Sequence, residues 1–188
     1  MKKKRSNSAV LPFIFVLAVL VLYFKFLDQP GLNEDIPLPE GLHPHVAQQA
    51  DLLVRQAADK GISIIITDGF RSFEEQDSLY ARGRTAGGNI VTHAQGGESF
   101  HNFGLAIDFA LKADSGKALW DMEYDGNGNG QSDWLEVVEL ARGLGFEWGG
   151  DWKHFKDYPH LQMDFGLTIR ELQRGKRPPE QPLTVGNM

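Results

Sequence analysis

The chain contains no cysteine. A disulfide scaffold is therefore excluded, and so is any metal site built on thiolates; a zinc ion would have to be held by His, Asp or Glu. Internal repeats and low-complexity segments are also missing, so 188 residues read as one domain plus extras. Acidic side chains are absent from residues 1–27, where Lys2, Lys3, Lys4, Arg5 and Lys25 fall. All 25 Asp and Glu lie beyond that stretch, against the other Lys and Arg of a total of 19. A domain with that surplus of negative charge is repelled by phosphate backbones, which argues against a nucleic-acid partner.

The N-terminus carries a membrane signal. Lys2-Lys3-Lys4-Arg5 precedes an apolar run from Ala9 to Leu27, interrupted only by Lys25. That run is close to the ~20 residues a helix needs to cross the hydrocarbon core. Lys25 can snorkel to the far headgroups. Asp28-Gln29-Pro30-Gly31 follows with no small-x-small cleavage site, which favours an uncleaved anchor over a removed signal peptide. The cationic end stays in the cytoplasm and the acidic domain lies outside. A buried core helix is the plainer alternative, but four consecutive cations are an unusual flank for one. Residues 28–42, with Pro30, Pro37 and Pro39, read as a linker, and residues 43–188 as the folded domain ending in a helix or tail.

Within that domain the pattern predicts a helix from His45 to Lys60 with Val46, Ala50, Leu53, Val54 and Ala57 on one face. A buried strand over Ile62–Thr67 follows, then a helix opened by Ser72 and Glu75 and running through Tyr80. Arg82 to Gly97 reads as a long surface loop. Leu105–Leu111 alternates as a strand, with Asp108 on its small-residue face. Asp133 and Glu136 are expected to cap a helix over Trp134–Leu144. Short strands are expected at Phe146–Trp148 and His160–Met163, and a last helix after Thr168 and Glu171. Helices and strands without a βαβ rhythm predict an α+β domain, a small, mostly antiparallel sheet flanked by helices.

His101, Asp108 and His160 stand out as metal ligands. Two imidazoles and a carboxylate leave the fourth tetrahedral position of zinc open for water, the composition of a catalytic site. Taken singly, each would read as an ordinary satisfied polar residue. Asp157, three residues before His160 and held by the Pro159 turn, is placed to exchange a proton with that water. Arg71, on the loop after the first strand, is placed to face a developing oxyanion. The other histidines, His43, His45, His93 and His154, are expected at the surface, with a substrate role open to His93 and His154.

Ser99-x-His101-x-x-Gly104-x-Ala106-x-Asp108, Asp157-x-x-His160 and Gly69-Phe70-Arg71-Ser72 resemble the zinc peptidases of bacterial peptidoglycan. That group includes the VanY-type D-alanyl-D-alanine carboxypeptidases and the L-alanyl-D-glutamate endopeptidases. The likeness runs from about His43 to Met163. Glu147-Trp148-Gly149-Gly150-Asp151-Trp152 and the order of the motifs resemble the endopeptidase branch, as does Asp157, where the carboxypeptidases usually carry Glu. The resemblance implies one zinc ion on His101, Asp108 and His160, Asp157 as general base, and Ser99 and Arg71 in contact with substrate, with Arg71 also steadying the tetrahedral intermediate. It implies hydrolysis of the stem peptide in cell-wall turnover. The N-terminal segment would place that activity at the outer face of the cytoplasmic membrane or in the wall, or make it secreted if the segment is cleaved, and a monomer is expected. A D-alanyl-D-alanine carboxypeptidase and a non-catalytic zinc module that binds the wall are the alternatives.

A second pattern is independent of this site. Asp125-x-Asn127-x-Asn129-Gly130-x-x-Asp133-x-x-Glu136 matches a calcium loop of the EF-hand type at its first, third, fifth, sixth, ninth and twelfth positions. Ser132 stands where an apolar residue is usual, and Met122-Glu123-Tyr124 does not read as a preceding helix. The plainer reading is an Asn-Gly turn leading into a capped helix.

Overall fold

The computed structural model of the chain describes residues 36–179. The expected anchor over residues 1–27, the start of the linker and the last nine residues lie outside them. Among the described residues no helix is long and apolar enough to cross a membrane.

Helix α1 (Pro44–Asp59) starts at His43, whose Nδ1 accepts the His45 N–H, with Pro44 in the first turn where no N–H is needed. Its apolar stripe, Val46, Ala50, Leu53 and Ala57, is buried. Strand β1 (Ile64–Asp68) follows, then α2 (Phe73–Ala81). The capping box read from Ser72 and Glu75 is present, each satisfying the other's backbone N–H. A 3-10 turn (Phe100–Phe103) leads into β2 (Ala106–Lys112), and β3 (Ala118–Leu119) folds back on the end of β2. Helix α3 (Asp133–Gly143), β4 (Glu147–Trp148), a second 3-10 turn (Gly149–Asp151), β5 (His160–Gln162) and α4 (Ile169–Gln173) complete the domain.

Every pairing in the five-stranded sheet is antiparallel, and its order is β1-β2-β5-β4 with β3 also on β2. The fold is α+β, as expected. The alternation read along β2 sorts as it should: Leu105, Ile107, Phe109 and Leu111 are buried. They belong to one core with the α1 stripe and with Trp134, Val137, Val138 and Ala141 of α3. The Phe109 and Trp134 rings pack 4.6 Å apart between centroids. Asp108, half a pleat away, points to the other side.

Two expectations need correction. Helix α3 is capped by Ser132, whose Oγ accepts the Leu135 N–H, not by Asp133, which is already its first residue. Glu136 does not reach back to the cap either; its carboxylate accepts from Lys60, Asn127 and Asn129. Serine one residue earlier competes successfully for the cap, which frees both acids. His43 and His45 are half-buried against Phe165 rather than free at the surface.

Candidate metal centre

The sheet register builds the site. Asp108 on β2 lies opposite His160 on β5 and, across the other edge, opposite Asp68 on β1. Cross-strand partners share a face, so strand pairing alone puts one imidazole beside one carboxylate. His101 arrives from the 3-10 turn that precedes β2. Gly104 ends that turn at φ +68. A Cβ there would also stand 2.2 Å from the Gly41 carbonyl oxygen, because the segment before α1 closes on it through a His43 N–H to Gly104 O bond of 2.9 Å. Only glycine meets both demands. Asn102 fastens the turn to the Arg71 loop: its Nδ2 donates to the carbonyls of Arg71 and Ser72, and its Oδ1 accepts from Gly97 and Ser99.

The predicted ligands converge. His101 Nε2 lies 3.1 Å from His160 Nδ1, and Asp108 Oδ1 lies 3.3 Å and 3.4 Å from those two nitrogens. His101 and His160 are buried. Asp108 Oδ1 is itself buried and without a directed hydrogen bond. The outer ring nitrogens fix the tautomers. His101 Nδ1 lies 2.6 Å from the Gly69 carbonyl, which can only accept, so Nδ1 carries the proton. His160 Nε2 lies 3.0 Å from Gln162 Oε1. Turning that carboxamide round would set its oxygen against Glu147, whose Oε2 now accepts from Gln162 Nε2 at 3.2 Å. Gln162 therefore accepts, and His160 Nε2 carries the proton. Both inner nitrogens then present lone pairs to each other and to a carboxylate oxygen. Three acceptors aimed at one point without a proton between them fit a divalent cation.

The three open into a cleft of about 910 Å³ that also exposes Arg71, Ser99, Trp152 and Asp157. Burial, reinforced by the negative charge of Asp108, pushes the Asp157 carboxyl up, against the pull of His160, His101 and Arg71. The loop carrying Asp157 is pinned from several sides. Asp157 N–H donates to Gly149 O at 3.1 Å, and Trp148 Nε1 donates to Tyr158 O at 2.7 Å. Gly149 is required by contact: a Cβ there would lie 2.4 Å from the Asp157 carbonyl oxygen and 3.0 Å from His160 Cβ.

Arg71 sits beside the three, its Nη2 3.7 Å from Asp108 Oδ2 and paired with Asp68, its Nη1 donating to Gln76 Oε1 at 2.8 Å. Gln76, buried, passes the restraint to Thr92 and Ala94 in the long loop. Ser99 caps the 3-10 turn, its Oγ accepting the His101 N–H at 3.3 Å, while still lining the cleft. His93 lines the cleft against Phe155; His154 is exposed and takes no part in its lining. Residues Asp125 to Glu136 do not line it at all. Gln162, Gln76, Asn102 and the Gly69 carbonyl went unassigned in the sequence. Only Gln162 left a signal, its place two residues after His160 on the same strand face.

This geometry, two imidazoles and a carboxylate at the floor of a cleft with a further carboxylate beside them, defines a metallohydrolase type of site. Residues 92–163 match the family described as D-alanyl-D-alanine carboxypeptidase. The chain is 61% identical over 160 residues to the peptidoglycan L-alanyl-D-glutamate endopeptidase CwlK of Bacillus subtilis, covering 84% of this chain and 95% of the relative. It is 32% identical to the L-alanyl-D-glutamate peptidase of Listeria phage A118 over 60% of this chain and 34% of that protein. Among solved structures it is similar to the L-Ala D-Glu endopeptidase ChiX of Serratia marcescens, at 26% identity and TM-score 0.46 over 71% of this chain and 85% of that one. The chain belongs to the bacterial peptidoglycan peptidases of the D-alanyl-D-alanine carboxypeptidase family, on their L-alanyl-D-glutamate endopeptidase branch.

Proposed function

We propose that this protein is a zinc peptidase that hydrolyses the peptidoglycan stem peptide between L-alanine and D-glutamate. The observation that carries the reading is the convergence of His101 Nε2, His160 Nδ1 and Asp108 Oδ1, with their ligand atoms within 4.8 Å of one another, at the floor of an open cleft. These three are the zinc ligands. Zinc held there supplies Lewis acidity, polarising the scissile carbonyl and lowering the pKa of water towards neutrality. Asp157, in the cleft beside the three ligands, takes the proton of the attacking water and passes it to the departing amine. Arg71, steered by Asp68 and Gln76, faces the oxyanion as it develops, a contribution of about 3 kcal/mol for one well-placed donor. Ser99 holds His101 through the turn and meets substrate at the rim. Val91, Trp120 and Phe155, exposed around the cleft, offer apolar surface to the substrate.

The identity to CwlK supports the choice of bond. Mass spectrometry of muropeptides digested by the full chain tests it: release of peptides that begin with D-glutamate is expected. Loss of a single terminal D-alanine would favour the carboxypeptidase alternative, and a fully zinc-loaded chain without any product would favour the non-catalytic module. Residues 1–27 anchor the domain to the outer face of the cytoplasmic membrane, beside the wall. Cell fractionation should find the intact chain in the membrane; a soluble form lacking those residues would contradict the anchor.

A further inference from the structure

The Asp125–Glu136 segment, remote from the cleft, has an organisation that the peptidase reading does not use. The chain wraps around its own side chains. Asp125 Oδ1 accepts the Asn129 N–H at 3.1 Å and Oδ2 accepts the Gly130 N–H at 2.9 Å. Asn127 Oδ1 accepts from Asn129 at 3.1 Å, and Asn129 Oδ1 from Gln131 at 2.8 Å. Each of these oxygens keeps a second lone pair. Glu136, from the first turn of α3, returns across the loop. Its Oε2 receives Nδ2 of both Asn127 and Asn129, at 3.0 and 2.8 Å, and its Oε1 receives Lys60 Nζ at 3.1 Å. The oxygen-bearing side chains at the first, third, fifth and twelfth loop positions are thus linked around one small volume.

The ninth position supplies the independent observation. Asp133 is 3% exposed. Its Oδ2 accepts the Gly126 N–H at 3.0 Å, which turns the carboxylate towards the loop, yet its Oδ1 is buried with no hydrogen-bond partner. A bare buried carboxylate oxygen is costly, so a partner is missing there. Charge identifies its class. Asp125, Asp133 and Glu136 carry three negative charges and Lys60 returns one positive, which leaves a deficit matched by a divalent cation. Donors that are all oxygen, on a loop of alternate ligands, suit Ca²⁺; Mg²⁺ demands tighter octahedral geometry and zinc prefers nitrogen.

We propose that the Asp125–Glu136 loop is a calcium site, with Asp125, Asn127, Asn129 and Glu136 as ligands and Asp133 reached through a water molecule. Its role is structural. Lys60 and the Lys60 carbonyl, which accepts from Asn127 Nδ2, join the loop to the end of α1. The loop also fixes the start of α3, where Trp134 packs on Phe109, the neighbour of Asp108. A filled loop would brace the floor of the metal centre from behind.

The test uses the full chain loaded with one zinc and dialysed free of other metals. Calorimetry with CaCl₂ should show one equivalent bound, with a dissociation constant on the order of 10⁻³ M or tighter. The melting temperature should rise by several degrees, and MgCl₂ at the same concentration should do much less. Asp125 is exposed, so Asp125→Asn should keep the fold and its zinc while calcium affinity falls at least tenfold. No heat and no melting shift at several millimolar calcium would overturn the proposal. So would an Asp125→Asn protein that binds calcium as tightly as the parent.

Discussion

Gln162 offers the sharpest perturbation of the centre, because it touches the proposed ion only through His160. In Gln162→Leu the acceptor for the His160 Nε2 proton disappears while the shape of the side chain is roughly kept. The imidazole then has a buried, unpaired N–H, at a cost of about 1–3 kcal/mol. It escapes by moving the proton to Nδ1, the nitrogen that faces Asp108 and His101. Loss of such outer partners typically weakens metal sites by about 10–100-fold, which is roughly 1.4–2.7 kcal/mol; the two routes agree. Zinc affinity, measured by competition with a chromophoric chelator, should fall by that factor, and kcat/KM at limiting zinc should fall with it. The partner of Gln162 gives a second arm. Gln162→Glu keeps an acceptor for His160 but sets a carboxylate against Glu147, which now accepts from Gln162 at 3.2 Å. Adding Glu147→Gln exchanges the two groups and should restore zinc affinity to within about threefold of the parent, if His160 senses only the acceptor. Unchanged zinc affinity in Gln162→Leu would refute the tautomer argument. A double exchange no better than Gln162→Glu alone would refute the role given to Glu147.

Four further outcomes follow from the same structure. Asp157→Asn should retain zinc and lose about 10²–10⁴ in kcat, read by steady-state kinetics beside metal analysis. Gly149→Ala drives a methyl group into the Asp157 carbonyl and should lower kcat more than thermal stability, since the strain falls on the loop that carries the base. Phe109→Ala should cost about 3–5 kcal/mol, seen as a shift of the denaturation midpoint, because it empties space between β2 and Trp134. Glu136 has a carboxyl held below its ordinary value by the Asn127 hydrogen bond, against burial and with help from Asn129 and Lys60. Its stabilising effect is therefore complete above the unfolded value of 4.5 and is lost as pH falls through the lower folded value. Measured without calcium, Glu136→Gln should flatten the melting temperature across that acidic window, and an unaltered slope would contradict it.

What the sequence disclosed depends on how local the determinant is. Helix α1, the capping boxes at Ser72 and Thr168 and the alternation along β2 are set by near neighbours, and all are present. The two residues of β4 fall within the strand expected at Phe146–Trp148, whereas the turn over Phe100–Phe103 is too short to show a period and had no local signature. Sheet order depends on distant pairings and was not legible. The candidate ligands were visible because His and Asp carry chemistry in their names. The groups that orient them were not: the Gly69 carbonyl belongs to the backbone, and Gln162, Gln76 and Asn102 are uncharged side chains that differ from ordinary polar residues only through their partners. Asp133 was misplaced as a cap because Ser132 stands one residue closer to the solution the backbone adopts.

Hydrolysis at this centre requires His101, Asp108 and His160 to close on one ion. Zinc K-edge absorption on the purified full chain, with metal content measured on the same sample, reads that shell directly. One zinc per chain with two imidazole nitrogens and light oxygen neighbours near 2.0 Å, lost in His160→Ala, is the predicted result. A chain that turns over peptidoglycan while free of zinc, or whose zinc shell survives His160→Ala unchanged, would contradict it.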